Sequence, residues 1–143
     1  MKRLVYYAHP MEGLRIPEES QIRAYLARDL LGDEFEVWIP EEHQGAKDEQ
    51  QDIDLNALIR ADIILVDRYA MGLVRNGVEV LGLGTNQETG YVKGLNAVRK
   101  KQVPIVQVLR QTVCFHPFDS TQVDKNCHSL EKACKYIREN CNV

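Results

Sequence analysis

The chain has 143 residues, near the commonest size of one domain and too short for two ordinary ones, so a single domain spanning 1–143 is expected. Its 18 basic and 21 acidic residues leave a formal charge of -3 without a basic stripe, which argues against a nucleic-acid polymer as partner. No apolar run approaches the roughly twenty residues of a membrane-spanning helix, the N-terminal segment turns polar at His9 before a signal region develops, and the four cysteines fall in the last third of the chain, which points to a cytoplasmic protein with reduced thiols and no membrane contact.

Arg3 to Ala8, rich in β-branched and aromatic residues and stopped by His9-Pro10, predicts a buried first strand. A helix follows over Gln21 to Leu31, with Ser20 as its cap, Ile22, Tyr25, Leu26 and Leu30 as its apolar face and Gly32-Asp33 as its stop. Glu34 to Ile39 alternates polar and apolar and reads as a second strand near an edge. Residues 41–52 are charged and amide-rich and read as a solvated loop. Asp54, Leu55, Leu58 and Ile59 open a short helix, and Ile63 to Asp67 is apolar enough for a strand buried on both faces. Residues 69–83 fit a helix, a hairpin or a flap equally well. Thr85 begins a helix running to about Lys101, and Ile105 to Leu109 is a further strand. Cys127, Leu130, Cys134, Ile137 and Cys141 fall on one face of a final helix, where the cysteines pack as small hydrophobes. Cys114, His116, Cys127 and His128 lack zinc-knuckle spacing, so no metal and no cofactor are expected. The alternation of strand and helix predicts an α/β fold: a flavodoxin-like, doubly wound parallel sheet of about five strands flanked by helices. Ligands of such sheets bind beyond the carboxyl ends of the strands, here near Tyr6 to Pro10, Asp67 and Leu109 to Thr112.

The segment from Gly82 to Tyr91 is the most informative, a glycine turn leading into a helix that carries a carboxylate. A dinucleotide fingerprint fails because Gln87 stands where its third glycine belongs. Thr85 and Glu88 also have the spacing of a capping box, in which each side chain satisfies a backbone amide and no chemistry follows.

Gly84-Thr85-Asn86-Gln87-Glu88-Thr89-Gly90-Tyr91 resembles the signature of the nucleoside 2-deoxyribosyltransferase family. Val5-Tyr6-Tyr7-Ala8-His9-Pro10 is similar to its opening strand, Asp54-Leu55 and Ala61-Asp62 to the segment before its central strand, and Lys101 to Ile105 to a later strand entry. The resemblance implies that Glu88 attacks C1′ of a nucleoside, that Tyr6 orients it, and that Asp54 serves the leaving base and sugar hydroxyl. It implies a substrate pocket involving His9, Asp67, Gly84, Thr85, Asn86 and Gly90, a small nucleoside or nucleotide as partner, and a homo-oligomer with shared active sites. The helix dipole would favour an ionised Glu88. Two positions depart from the family: Gly82 stands where an Asp is common, with Asp67 or Glu79 as possible substitutes, and His9 replaces a glycine. Base exchange and hydrolysis remain open, as does a nucleotide-binding module without turnover; hydrolysis of a monophosphate would need Arg15, Arg68 or the amides of 84–86.

Overall fold

The computed structural model describes residues 2–9, 17–43, 45, 49–69, 74–75, 78–79, 83–109 and 123–141, and for 17–20, 50–51, 74–75, 78–79 and 83–87 the backbone alone. In chain order these form β1 (Arg3–Ala8), α1 (Pro17–Leu31), β2 (Phe35–Trp38), a 3-10 turn (Pro40–His43), α2 (Gln50–Arg60), β3 (Ile63–Asp67), β4 (Val74–Arg75), β5 (Val78–Glu79), α3 (Leu83–Asn96), β6 (Ile105–Val108), β7 (Lys125–Cys127) and α4 (Leu130–Asn140). Five strands make one parallel sheet in the order β2-β1-β3-β6-β7, while β4 and β5 pair separately as an antiparallel ribbon. This is the flavodoxin-like order, and strand order reverses between β1 and β3. The ribbon falls in the segment 69–83, whose sequence left a hairpin among its options.

Successive side chains of a strand point to opposite faces, and that alternation divides the core in two. Val5 and Tyr7 of β1 join Ala24, Ala27 and Leu31 of α1 and Leu130, Ala133, Cys134 and Ile137 of α4. Tyr6 and Ala8 turn the other way, to Ala57 and Leu58 of α2 and Val92 of α3. All five residues of β3 are buried, as a central parallel strand requires.

The buried face of α1 differs from the one expected. Ile22, Tyr25 and Leu26 are 66, 42 and 38% exposed, whereas Ala24, Ala27 and Leu31 are buried. Alanine at 24 and 27 lets the helix backbone approach the sheet and α4 closely, so fit rather than side-chain size selects the packed face. The helix also starts at Pro17, which places Ser20 inside it rather than at the cap. It stops where expected: Gly32 adopts φ 77°, a left-handed conformation suited to glycine, and its N–H donates to the Arg28 carbonyl at 3.1 Å. Cys127 leaves the expected helical face and ends β7, a strand too short and polar to stand out in the sequence. Ser129 then caps α4, its Oγ accepting the Lys132 N–H at 3.2 Å. Cys127, Cys134 and Cys141 are free, buried thiols, and burial pushes Cys134 up to about 12.

Polar side chains tie the strand entries to neighbouring elements. Asp62 accepts the Leu4 N–H at 2.8 Å and Asp124 the Ile105 N–H at 2.7 Å. Asn96, at the end of α3, donates to the Val103 carbonyl and accepts the Val103 N–H, both at 2.9 Å, and so fixes the helix against the entry to β6. Asn96→Ala would leave both Val103 groups without these partners and is expected to lower stability by about 2 kcal/mol. Urea unfolding measures this directly; an unchanged midpoint would show that the clamp does not hold the helix.

Candidate active site

In this sheet α2 and α3 each lead into a following parallel strand, so they run back against the strands and bring their N-terminal halves to the strands' carboxyl ends. Asp54 lies three, four and seven residues before the buried Ala57, Leu58 and Ala61, on the face of α2 that meets the sheet. Glu88 stands likewise four and eight residues before the buried Val92 and Asn96 on α3. Neither is a helix cap. The N-cap of α2 is Glu49, a full turn before Asp54. The third helix begins at Leu83 rather than Thr85 and ends at Asn96, so Thr85 lies within its first turn and Glu88 in its second.

Glu88 is met by Tyr6. The tyrosine is 1% exposed, and its hydroxyl hydrogen-bonds the Glu88 carboxylate while the buried Glu88 Oε2 has no hydrogen-bond partner. Burial, then the charge of Glu88, raise the Tyr6 hydroxyl well above the ordinary tyrosine range, which keeps it a proton donor. Burial likewise pushes Glu88 up to about 7. The Tyr6 hydrogen bond opposes the shift, Asp54 adds to it, His9 opposes it, and Glu41 adds to it. The helix dipole was expected to favour an ionised Glu88, whereas burial raises the proton affinity of this carboxyl.

Tyr6 is fixed from the β2 side. The β1–β2 register sets it beside Trp38, and the two rings stack at 5.2 Å with 17° between their planes. His43 stacks on Trp38 at 4.4 Å and 5°. His9, immediately past β1, is buried with its Nε2 2.7 Å from Glu41 Oε1. Burial pulls the Glu41 carboxyl upward and is the largest single influence, but the close approach and charge of His9 hold it below the usual carboxylate range. Glu41 and Trp38 are absent from the site residues expected from sequence. The segment 41–52 is not a uniform solvated loop, because Pro40 opens a 3-10 turn that carries Glu41 back toward β1, and α2 is already under way at Gln50. Pro40 after an apolar strand is the one local signal of that turn.

Asp67 is placed on the opposite face of the sheet from Glu88. Its carboxylate accepts Arg23 Nε at 2.8 Å, Arg23 Nη2 at 3.0 Å, the Tyr7 hydroxyl at 2.5 Å and the Tyr69 N–H at 3.2 Å. Arg23 also lies 4.4 Å over the Tyr69 ring. The carboxylate expected to meet substrate is held in a buried pair that fastens α1 to the end of β3. Gly84, Thr85 and Asn86 belong to the first turn of α3, beside Glu88 in the chain, and their side chains lie outside the described residues. Gly90 is inside α3, two residues past Glu88 and so on a different side of the helix. Arg68 is buried at the end of β3. Arg15, Gly82, Thr112, Cys114, His116 and the side chain of Glu79 fall outside the described residues. Among the described residues, no group of three His, Cys, Asp or Glu could hold a metal ion, and no helix is long and apolar enough to cross a membrane.

Fold and site together define a doubly wound α/β protein with a buried, tyrosine-bound carboxylate beside the point where strand order reverses. Its fold is shared with solved structures along nearly the whole chain. A conserved protein from Enterococcus faecalis V583 superposes with a TM-score of 0.71 at 10% identity, over 97% of this chain and 99% of that one. A 2-desoxiribosyltransferase from Leishmania mexicana superposes with a TM-score of 0.66 at 17% identity, over 96% and 98%. At these identities the likeness is one of fold. No family model matches the sequence, and comparison with curated proteins gives no match.

The raised Glu88 carries a stability consequence of definite sign. Its folded value of about 7 lies above the ordinary 4.5, so the folded state holds the proton more tightly. The resulting destabilisation is absent below the ordinary value, grows as pH rises from there to about 7, and is complete above. Glu88→Gln removes it, and the stability of the variant relative to wild type should rise by on the order of 3 kcal/mol between pH 4 and pH 8. Paired urea titrations at the two pH values measure the difference, and an equal difference at both would rule out the raised value.

Proposed function

We propose that the protein is a nucleoside 2-deoxyribosyltransferase-like enzyme that cleaves the N-glycosidic bond of a nucleoside or nucleotide, with Glu88 as nucleophile. The observation that carries this reading is the buried Glu88 carboxylate, with one unsatisfied oxygen, hydrogen-bonded by Tyr6 at the carboxyl end of the sheet. A carboxylate with no function in binding protein groups would normally be paired or solvated, since burying it unpaired is unfavourable. The fold shared with a 2-desoxiribosyltransferase and the resemblance of Gly84 to Tyr91 support the same reading.

In the reaction, a Glu88 oxygen attacks C1′ as the bond from C1′ to the base nitrogen breaks, and the base leaves with that electron pair and takes up a proton. The sugar is held as an ester of Glu88. A nitrogen of a second base then attacks C1′ and the carboxylate leaves, so two inversions give retention, as in retaining glycosidases. The Tyr6 hydroxyl orients the attacking carboxylate, and Asp54, on the neighbouring face of α2, serves the leaving base and the sugar hydroxyl. The chemistry needs no cofactor, because the carboxylate itself is the nucleophile.

A second reading, a nucleotide-binding module without turnover, is favoured by Asp67. It was a candidate to replace the acid missing at 82, and Arg23 and Tyr7 occupy it. Incubation with a deoxynucleoside, with and without an acceptor base, separates the possibilities. Base release that needs the acceptor indicates exchange, equal release in both indicates hydrolysis, and thermal stabilisation without product indicates binding alone. Under the enzyme reading, Glu88→Ala should lower turnover by about 10³-fold or more. Since Glu88 must lose its proton to attack, kcat/KM should fall about tenfold per unit below pH 7. Wild-type turnover retained in the alanine variant would remove Glu88 from the mechanism.

A further inference from the structure

All of β6 is buried, yet its third residue is a glutamine. Gln107 is 1% exposed. Two residues after Ile105, its side chain shares that residue's face of the sheet, the face of Tyr6, Ala8 and Val66 that α2 and α3 cover. The register sets Ala8, Val66, Gln107 and Asn126 in one row across β1, β3, β6 and β7. Asn126 turns the carboxamide, because Gln107 Nε2 donates to Asn126 Oδ1 at 2.8 Å. The remaining oxygen, Oε1, is buried and has no hydrogen-bond partner among the described residues. By contrast Asn96, buried where α3 meets the entry to β6, spends both of its amide groups on Val103. An apolar side chain would fill the place of Gln107 without stranding an acceptor, which is unfavourable, so the core alone gives no reason for a glutamine here.

The Asn96 clamp also sets the height of α3 along β6, since the helix runs back against the strand. From the clamp, Glu88 lies eight residues before Asn96, about 12 Å along the helix and on the same side of it. Gln107 lies four residues after Val103, about 13 Å along the strand. Val92 and Ile105, halfway along each path, are buried in the same apolar cluster, as this alignment requires. Glu88 and Gln107 thus come level at the carboxyl end of the sheet, with Tyr6 on β1 and Gln107 on β6 to either side of β3. Two buried oxygens without hydrogen-bond partners among the described residues, Glu88 Oε2 and Gln107 Oε1, stand at that level. We propose that Gln107 is a substrate-binding residue: its Oε1, aimed by Asn126, accepts a hydrogen bond from an N–H or O–H of the nucleoside whose C1′ meets Glu88. This rests on the reading of Glu88 as the nucleophile and adds to it a selection for substrates that carry a donor on the β6 side. A site built around a buried acceptor discriminates against analogues lacking the matching donor, because they leave it unpaired.

The test compares wild type with Gln107→Met, which keeps the bulk and removes the acceptor. The substrates are deoxyadenosine and analogues that lack its amino group, its 3′-hydroxyl or its 5′-hydroxyl in turn. KM for deoxyadenosine should rise about tenfold in the variant while kcat changes far less, and the rise should vanish for the one analogue missing the donor that Gln107 binds. That analogue identifies the donor as belonging to the base or to the sugar. An unchanged KM, or an equal rise for all four compounds, overturns the proposal. A side chain that merely tied β6 to β7 would lower the urea midpoint of the free protein and leave KM alone, and that outcome rejects the contact as well. If the variant does not fold, the side-chain amide resonances of Gln107 in the wild-type protein decide: they should move as deoxyadenosine is added, and resonances that stay in place overturn the proposal. Affinity that depends on Gln107 in a protein that releases no base would support the contact and reject Glu88 as nucleophile. Base release lost in Glu88→Ala, with KM unchanged in Gln107→Met, would leave the nucleophile standing and reject Gln107. A wild-type protein that neither binds nor cleaves any deoxynucleoside overturns both readings.

Discussion

Two adjacent tyrosines on β1 organise the molecule, because the pleat of the strand sends them to opposite sides of the sheet. Each hydroxyl meets a carboxylate. On the α1 side Tyr7 reaches Asp67, which two nitrogens of Arg23 and the Tyr69 amide also bind, so that charge is neutralised and fully hydrogen-bonded. On the α2 and α3 side Tyr6 reaches Glu88, whose other oxygen is left without a partner. A shift of one residue along β1 would exchange the two environments. The parallel register of β1 with β2 and β3 is therefore the constraint on which both the structural and the proposed chemical carboxylate depend.

The contrast separates an acid that stabilises the fold from one that is held at a disadvantage. Asp67 fastens the first helix to the central strand through Arg23, Tyr7 and the Tyr69 amide. Glu88 is kept in a low-dielectric setting by surroundings rigid enough to hold it there. The stack of Tyr6, Trp38 and His43 braces one side, and Asn96, two turns further along the same helix, clamps α3 to the entry of β6. Local unfavourable burial persists when the surrounding structure over-determines it, and such places are where chemistry is commonly found.

The His9 and Glu41 pair enlarges this picture. The carboxyl end of a parallel sheet gathers side chains from several loops and helix starts, so charges distant in sequence come within each other's field. Of the carboxylates that act on Tyr6, Glu88 and Asp54 lie in helices and Glu41 in the short turn following β2. Their mutual influence is a property of the assembled end of the sheet rather than of any one motif.

The architecture was largely legible in the chain itself. The apolar runs at Arg3 to Ala8, Ile63 to Asp67 and Ile105 to Leu109, with helical patterns between them, are enough to dictate a parallel layered sheet, because strands buried on both faces must be nearly all apolar. The carboxylate at Glu88 and its tyrosine were visible through their motif. What the chain could not show is what depends on approach between distant elements. The packed face of α1 was set by how closely two alanines allow it to come, β7 is a strand only because β6 offers it an edge, and Asp67 is paired because Arg23 lies across from it. Glu41 entered the site through a single turn after Pro40, and the proton affinity of Glu88 was fixed by burial. Local pattern governs which segments are strand or helix, since periodicity and turn residues act over a few neighbours; solvent exclusion and charge pairing are decided only when the layers close.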